Sequence, residues 1–249
     1  MNSASCIGFL CIVAVGCYLQ TFTGFALGIF VLGAVALLQI VKLETTATAI
    51  NIMTLVNTAL TLRGNLHHLN WKLFARTLLG VVPGVPVGVW LLDALSTRNT
   101  HLLQLALGLV VLLAGAMLWL RPKVRSIPSA PSSFVIAGGF GGILGGLFSV
   151  PGPPIIYQFY VQPLALEQVR LTLLGIFGAV SMMRFTILLA DGSVDSNAIW
   201  LGLLSIPVVV VTTALFLRYP PKLSELTVRR CAFLLLSTMG LCIFAMAWS

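Results

Sequence analysis

The chain has 249 residues, 59% hydrophobic and only 8% charged, with a mean hydropathy of +1.06 and a formal net charge of +8. Those values exclude an ordinary soluble domain, and charge-poor windows of about 20 residues fit membrane-spanning helices. The short segments of alternating polarity that mark a spanning β-barrel are missing, so the expected fold is all-α, a polytopic integral membrane protein.

Residues 1–5 lack the basic stretch that opens a cleavable signal, and the first apolar segment is expected to stay in the mature protein. That segment, residues 5–40, is too long for one crossing and is interrupted by Gln20-Thr21-Phe22-Thr23-Gly24. Full helices are expected at residues 45–62, 73–92 and 102–120, with polar connectors at 63–72 and 93–101. Pro122, Pro128 and Pro131 make residues 121–133 the natural boundary between two halves. A second overlong segment, residues 134–161, is interrupted by Gly145-Gly146-Leu147-Phe148-Ser149-Val150-Pro151-Gly152-Pro153-Pro154. Three more spans follow, at 169–189, 199–217 and 228–248. The expected organisation is a first membrane repeat over residues 1–121 (hairpin 5–40 plus three spans), a cytoplasmic linker at 122–133, and a second repeat over 134–249 (hairpin 134–161 plus three spans). Glu44 and Glu167 follow the two interrupted segments, and Pro83 and Pro207 recur within corresponding helices.

Charge decides how those segments cross. If each interrupted segment traverses once, Lys and Arg divide evenly between the two sides. If each returns to its own side, Arg63, Lys72, Arg76, Arg121, Lys123, Arg125, Arg170, Arg218, Lys222, Arg229 and Arg230 collect on one side, against Lys42 and Arg98 on the other. That asymmetry is what the positive-inside rule expects. Each half then crosses an odd number of times beyond its hairpin, so the halves are two inverted repeats and both termini lie outside the cytoplasm. The basic excess is read as this topological bias, and no nucleic-acid partner is expected. The five cysteines lie in apolar segments without CxxC spacing, so neither a metal nor another cofactor is expected.

Paired interruptions in two halves point to a transport site. In the first, Gln20, Thr21 and Thr23 offer amide and hydroxyl groups, Gly24 lets the backbone turn, and a returning helix would present free N–H groups near Phe25. In the second, Pro153 and Pro154 suit the first turn of a new helix, and Ser149 and Gly152 sit where an anion could meet backbone N–H groups. The four-residue spacing of Gly138, Gly142 and Gly146 is equally a helix-packing signature. Asn51, Thr54 and Asn57 share a helix face and either line a pathway or join helices. Tyr157 and Gln158 face the same choice. Arg184 is the one basic residue deep in an expected span, which makes it a functional candidate or a side chain snorkelling toward Asp191.

The two interruptions, Thr21-Phe22-Thr23-Gly24-Phe25-Ala26-Leu27-Gly28 and the glycine-proline run from Gly138 to Pro154, resemble the paired motifs of the sulfite exporter TauE/SafE family, also called the sulfonate uptake permease family. The resemblance covers essentially the whole chain. It implies a transporter of small sulfur-containing or carboxylate anions in a bacterial inner membrane, with Gly24, Gly145, Gly146, Gly152, Pro153 and Pro154 as the motif's carry-over. The first half has Thr23-Gly24-Phe25-Ala26 where many members have a GxGGG run. The expected function is alternating-access transport of a small anion, sulfite or an organosulfonate, between two broken hairpins. The expected partners are that anion and the lipid bilayer, with a homodimer left open. A carboxylate permease or anion channel of the same architecture is the alternative. An intramembrane enzyme is disfavoured, because no acid pair, HExxH helix or serine–histidine pair lies in the spans.

Overall fold

The computed structural model describes residues 3–98, 100–120, 124–219, 234, 237–242 and 244, and the described chain is helical with no strand. The helices are α1 (Ser3–Thr23), α2 (Ala26–Leu38), α3 (Leu43–Leu62), α4 (Trp71–Arg98), α5 (Thr100–Leu120), α6 (Pro131–Phe148), α7 (Gly152–Tyr160), α8 (Leu166–Ala190) and α9 (Ser196–Arg218), with one 3-10 turn at Leu66–His68. Most of the expected span at 228–248 and of the connector at 218–227 lies outside the described residues, as do Arg121 and Lys123.

Both overlong segments are hairpins. Gly16 of α1 faces Leu27 and Val31 of α2, so α2 runs back along α1, and Gly141 of α6 faces Ile155 of α7 in the same manner. The chain reverses at Gly24, with φ +91°, and at Ser149 and Gly152, with φ +59° and +58°. Five described helices are long and apolar enough to span a membrane: α1, α4, α6, α8 and α9. Large apolar side chains such as Leu79, Phe140, Trp200 and Val211 stay on the outer surface, where lipid would cover them.

Most of the expected connector at 93–101 is helical. Residues 93–98 continue α4, which reaches 28 residues, and α5 begins at Thr100. Asp93-Ala94-Leu95-Ser96-Thr97-Arg98 holds no glycine or proline, so polarity alone does not end the helix. Pro83, Pro86 and Pro207 likewise sit inside continuous helices. The linker ahead of α6 is docked: Arg125 N–H donates to the Val161 carbonyl at 2.8 Å and Ser129 N–H to Gln162 Oε1 at 2.9 Å.

Packing directions follow from side-chain register. Thr58 of α3 donates to the Leu174 carbonyl of α8 at 3.3 Å and faces Gly178, while Thr45 at the start of α3 donates to Asp195 just beyond α8. The two helices are therefore antiparallel. In α3 and α9, Ile52 faces Gly202 and Asn57 binds Thr213, a parallel pairing. α4 and α6 are parallel and pack backbone to backbone: Gly80 faces Val135, Gly84 faces Gly139 and Gly142, and Gly88 faces Ile143 and Gly146. Small residues allow that approach, and it sets the height of α6 within the bundle. A Cβ on Gly84 would lie 2.5 Å from the Gly139 carbonyl oxygen, whereas one on Gly139 would meet nothing closer than 4.0 Å.

At the end of the bundle where α3 and α9 begin, the Asp195 side chain accepts from Asn197 N–H and from the Thr45 hydroxyl, each at 3.0 Å. The Asn197 backbone N–H is the main reason its carboxyl is held below the ordinary carboxylate range; desolvation opposes it, and the Thr45 and Asn197 side chains and the Lys42 charge add to the lowering.

Two outcomes follow. Gly84→Ala is expected to cost about 1–3 kcal/mol through overpacking, while Gly139→Ala is neutral or stabilising; unfolding of the purified protein in mixed micelles distinguishes them. Because the folded pKa of Asp195 is depressed, its contribution is present above the unfolded carboxylate pKa and is lost as pH falls through the folded value. Melting curves from neutral to acid pH should show that loss in the wild type, with a shallower acid decline in Asp195→Ala.

Candidate functional site

The first break satisfies itself. Gln20 Oε1 accepts from Leu27 N–H at 3.2 Å, and Thr23 Oγ1 accepts from Phe25 N–H at 3.4 Å, so side chains of α1 take up N–H groups at the start of α2. Gly24 N–H closes onto the Gln20 carbonyl at 2.7 Å, and the Thr21 and Thr23 hydroxyls return to the Cys17 and Leu19 carbonyls. Asn57 then joins three helices: its Oδ1 accepts from Gln20 Nε2 at 3.0 Å, and its Nδ2 donates to Thr21 Oγ1 at 3.0 Å and Thr213 Oγ1 at 2.8 Å. Gln20, Thr21, Asn57 and Thr213 are all buried. The groups expected to meet an anion here are committed to capping α2 and tying α1 to α3 and α9.

The second break is different. α6 stops at Phe148, and Ser149, in the left-handed region, returns its N–H to the Gly145 carbonyl at 2.8 Å. The chain then leaves the helix, so the Gly146 carbonyl belongs to the last turn that lacks intrahelical donors. Arg184 of α8 supplies one, with Nε donating to Gly146 O at 2.7 Å. Ser149 Oγ donates to the Ala47 carbonyl of α3 at 2.6 Å. Gly28, in the first turn of α2, packs on Val150 and Ile50, so the two hairpins touch. α7, nine residues or about 13 Å long at roughly 1.5 Å per residue, begins at the second break, and its Tyr160 hydroxyl donates at 3.1 Å to the Thr23 carbonyl at the first.

Arg184 does not snorkel. Its side chain is fully buried, and Nη1 makes no hydrogen bond to any described residue. It stands at the wall of a cavity of about 520 Å³ that Glu44, Thr48, Pro86, Trp90, Asp93 and Asp191 also line. Glu44 is the charge acting on it from that cavity. Two further groups on the same helix pair are buried without a partner among the described residues: both amide atoms of Asn51, and Ser181 Oγ. Arg170 Nε is a third, at the first break, where Gly24 lies against the Arg170 backbone.

The remaining expected residues sort by position. Asn51 and Asn57 share a helix but not a fate, one unpartnered and the other saturated. Phe25 is buried and stacks edge-on with Tyr160. Gly146 faces α4 and lends its carbonyl to Arg184, and Gly152 and Pro153 are buried at the start of α7 while Pro154 is half-buried. Tyr157 is 41% exposed and Gln158 donates to Ser133 Oγ at 2.7 Å, so neither faces the cavity beside Arg184. Sequence reasoning missed Ser181, a lone serine in an apolar run that offers no local signal. It also passed over the Gly80, Gly84 and Gly88 stripe, whose four-residue spacing was readable.

Comparison with known proteins adds the following. Residues 8–243 match the family described as Sulfite exporter TauE/SafE. A protein of Cupriavidus necator named "Probable sulfite/organosulfonate exporter TauE" is 38% identical over 234 residues, covering 94% of this chain and 91% of that protein. No solved structure matches the chain.

Removing the Asn57 amide takes a hydrogen bond from three buried partners at once, Gln20, Thr21 and Thr213. Asn57→Leu is expected to cost about 2–4 kcal/mol, at about 1 kcal/mol or more for each lost or orphaned group, with the melting temperature of the purified protein as the readout.

Proposed function

The chain belongs to the sulfite exporter TauE/SafE family and is a multi-pass membrane transporter, not an enzyme; on that premise we propose that it exports sulfite or a small organosulfonate across a bacterial inner membrane. The observation that carries the reading is Arg184, a buried cation at the second break whose Nη1 no described residue accepts. A charge so placed in a span marks a substrate path. The Cupriavidus necator relative, by its name, fits an anion of this kind.

The mechanism is alternating access between inverted repeats, residues 1–121 and 134–249 joined by the cytoplasmic linker 122–133. Helix pairing supports that duplication. α1 packs on α2 and α9 where α6 packs on α7 and α4, and α3 packs on α9 where α8 packs on α4. Each relation maps to the other when α1–α4 are exchanged with α6–α9, and α3 and α8, exchanged with one another, run antiparallel. On the charge count the end bearing Glu44, Asp93 and Asp191 lies outside, which makes the cavity beside Arg184 the outward-facing one and places both termini outside. Gly24 and the segment from Ser149 to Pro154 are the bends about which the hairpins move.

Reconstituted vesicles test this. Wild-type protein should move sulfite down its gradient, Arg184→Gln should lower the rate by about tenfold or more, and Thr23→Val and Gly152→Leu should abolish flux with the protein still in the membrane. Unchanged flux in all three variants contradicts the path through the hairpins. Acetate flux without sulfite flux would make the protein a carboxylate permease, and stepwise single-molecule currents would make it a channel.

A further inference from the structure

We infer that the anion is held at the crossing of α3 and α8, by Asn51, Ser181 and Arg184, and that it is a singly charged –SO3 group, hydrogensulfite or a sulfonate. The inference rests on the exporter reading and narrows its site from the broken hairpins to three side chains. Thr58 touches α8 at Leu174 and Gly178. Seven residues make two turns and preserve the helix face. Asn51 lies seven residues before Thr58, and in an antiparallel pair the matching step on α8 leads from Leu174 to Ser181. Arg184 is three residues further on, on the same side of α8. The crossing thus brings Asn51, Ser181 and Arg184 to one level, beside the second break that Arg184 Nε grips through Gly146.

All three side chains have no exposure, and each holds hydrogen-bonding atoms without a partner among the described residues: Asn51 Nδ2 and Oδ1, Ser181 Oγ and Arg184 Nη1. One buried polar group left unpaired is destabilising by itself. Three on one helix crossing amount to a built site whose partner is a ligand. Its charge follows from its neighbours: Arg184 is the site's cation, and α6, against which it packs, carries no charged residue. The facing charges are Glu44 from α3, with Asp93 of α4 and Asp191 after α8 lining the same cavity. A site with one guanidinium among three carboxylates repels a doubly charged anion more than a singly charged one, which favours the latter. Three donors, the Asn51 amide, the Ser181 hydroxyl and the Arg184 Nη1 group, match three oxygens on sulfur. The leftover acceptor, Asn51 Oδ1, suits the proton of hydrogensulfite. A carboxylate presents its acceptor sites in one plane, whereas the three oxygens of an –SO3 group form a tripod that donors from two helices can meet.

The test is calorimetric titration of the full-length protein in detergent with methanesulfonate and, at mildly acidic pH, with sulfite. Asn51→Leu and Ser181→Ala should each weaken binding about tenfold or more, from the loss of a hydrogen bond to a charged group. Both should leave the ligand-free protein as stable as the wild type or more so, since each removes a buried polar group that has no partner. Thr213→Val, which breaks the Asn57 node instead, should lower stability and leave affinity unchanged. Wild-type affinity in both Asn51→Leu and Ser181→Ala overturns the site, as does weakened binding accompanied by lost ligand-free stability, which would mark a structural role. In those cases sulfite flux through wild-type vesicles leaves the exporter reading standing. A wild type that neither binds nor moves either anion overturns that reading together with this one.

Discussion

An arginine closed off from solvent inside an apolar bundle must be compensated, and Arg184 concentrates that demand in this fold. Its Nε is met by the Gly146 carbonyl, which is free to accept only because α6 ends two residues later. The helix break and the buried cation are therefore one device. A continuous α6 would close the Gly146 carbonyl in its own ladder and leave the guanidinium without its acceptor. The glycine contact of α4 with α6 belongs to the same device, since it fixes the height at which that carbonyl meets α8. The Ser149 hydroxyl, bonded to the Ala47 carbonyl, ties the break to α3 as well.

The two breaks look alike in sequence and do different work. At the first, Gln20, Thr23 and Asn57 absorb the donors and acceptors that the bend releases, and α1, α3 and α9 are joined into a rigid node. At the second, a guanidinium absorbs one carbonyl and keeps a donor in reserve. The proposed alternating access needs one end of the path to hold a charge and another to bend without releasing polar groups into lipid. The saturated node suits bending as a unit, and the unsaturated crossing suits a ligand. Access to Arg184 from the cavity beside Glu44 and Asp191 places the charge where a small anion can arrive from one side.

Much of this was legible in the chain. The overlong apolar runs with glycine and proline at their centres are broken in the structure at Gly24 and between Phe148 and Gly152. What was hidden depended on partners far away in sequence. Residues 93–98 read as a connector on polarity alone, yet they hold no glycine or proline to break a helix. Arg184 could have snorkelled toward Asp191; the choice was settled by a carbonyl that only the α6 break exposes. Asn51 and Asn57 were indistinguishable as members of one polar stripe, and they part because Asn57 faces α1 and α9 whereas Asn51 follows Thr58 toward α8. Ser181 carries no signal until the register of that crossing is known.

The account stands or falls on where the anion sits, and selenite, an isostere of sulfite with a strong anomalous signal, can be located directly. Diffraction from the selenite-bound protein should place the selenium between Arg184 Nη1, Asn51 and Ser181 at the crossing of α3 and α8. Selenium at the start of α7 beside Gly152, or at the first break beside Gly24, with the crossing unoccupied, would contradict it.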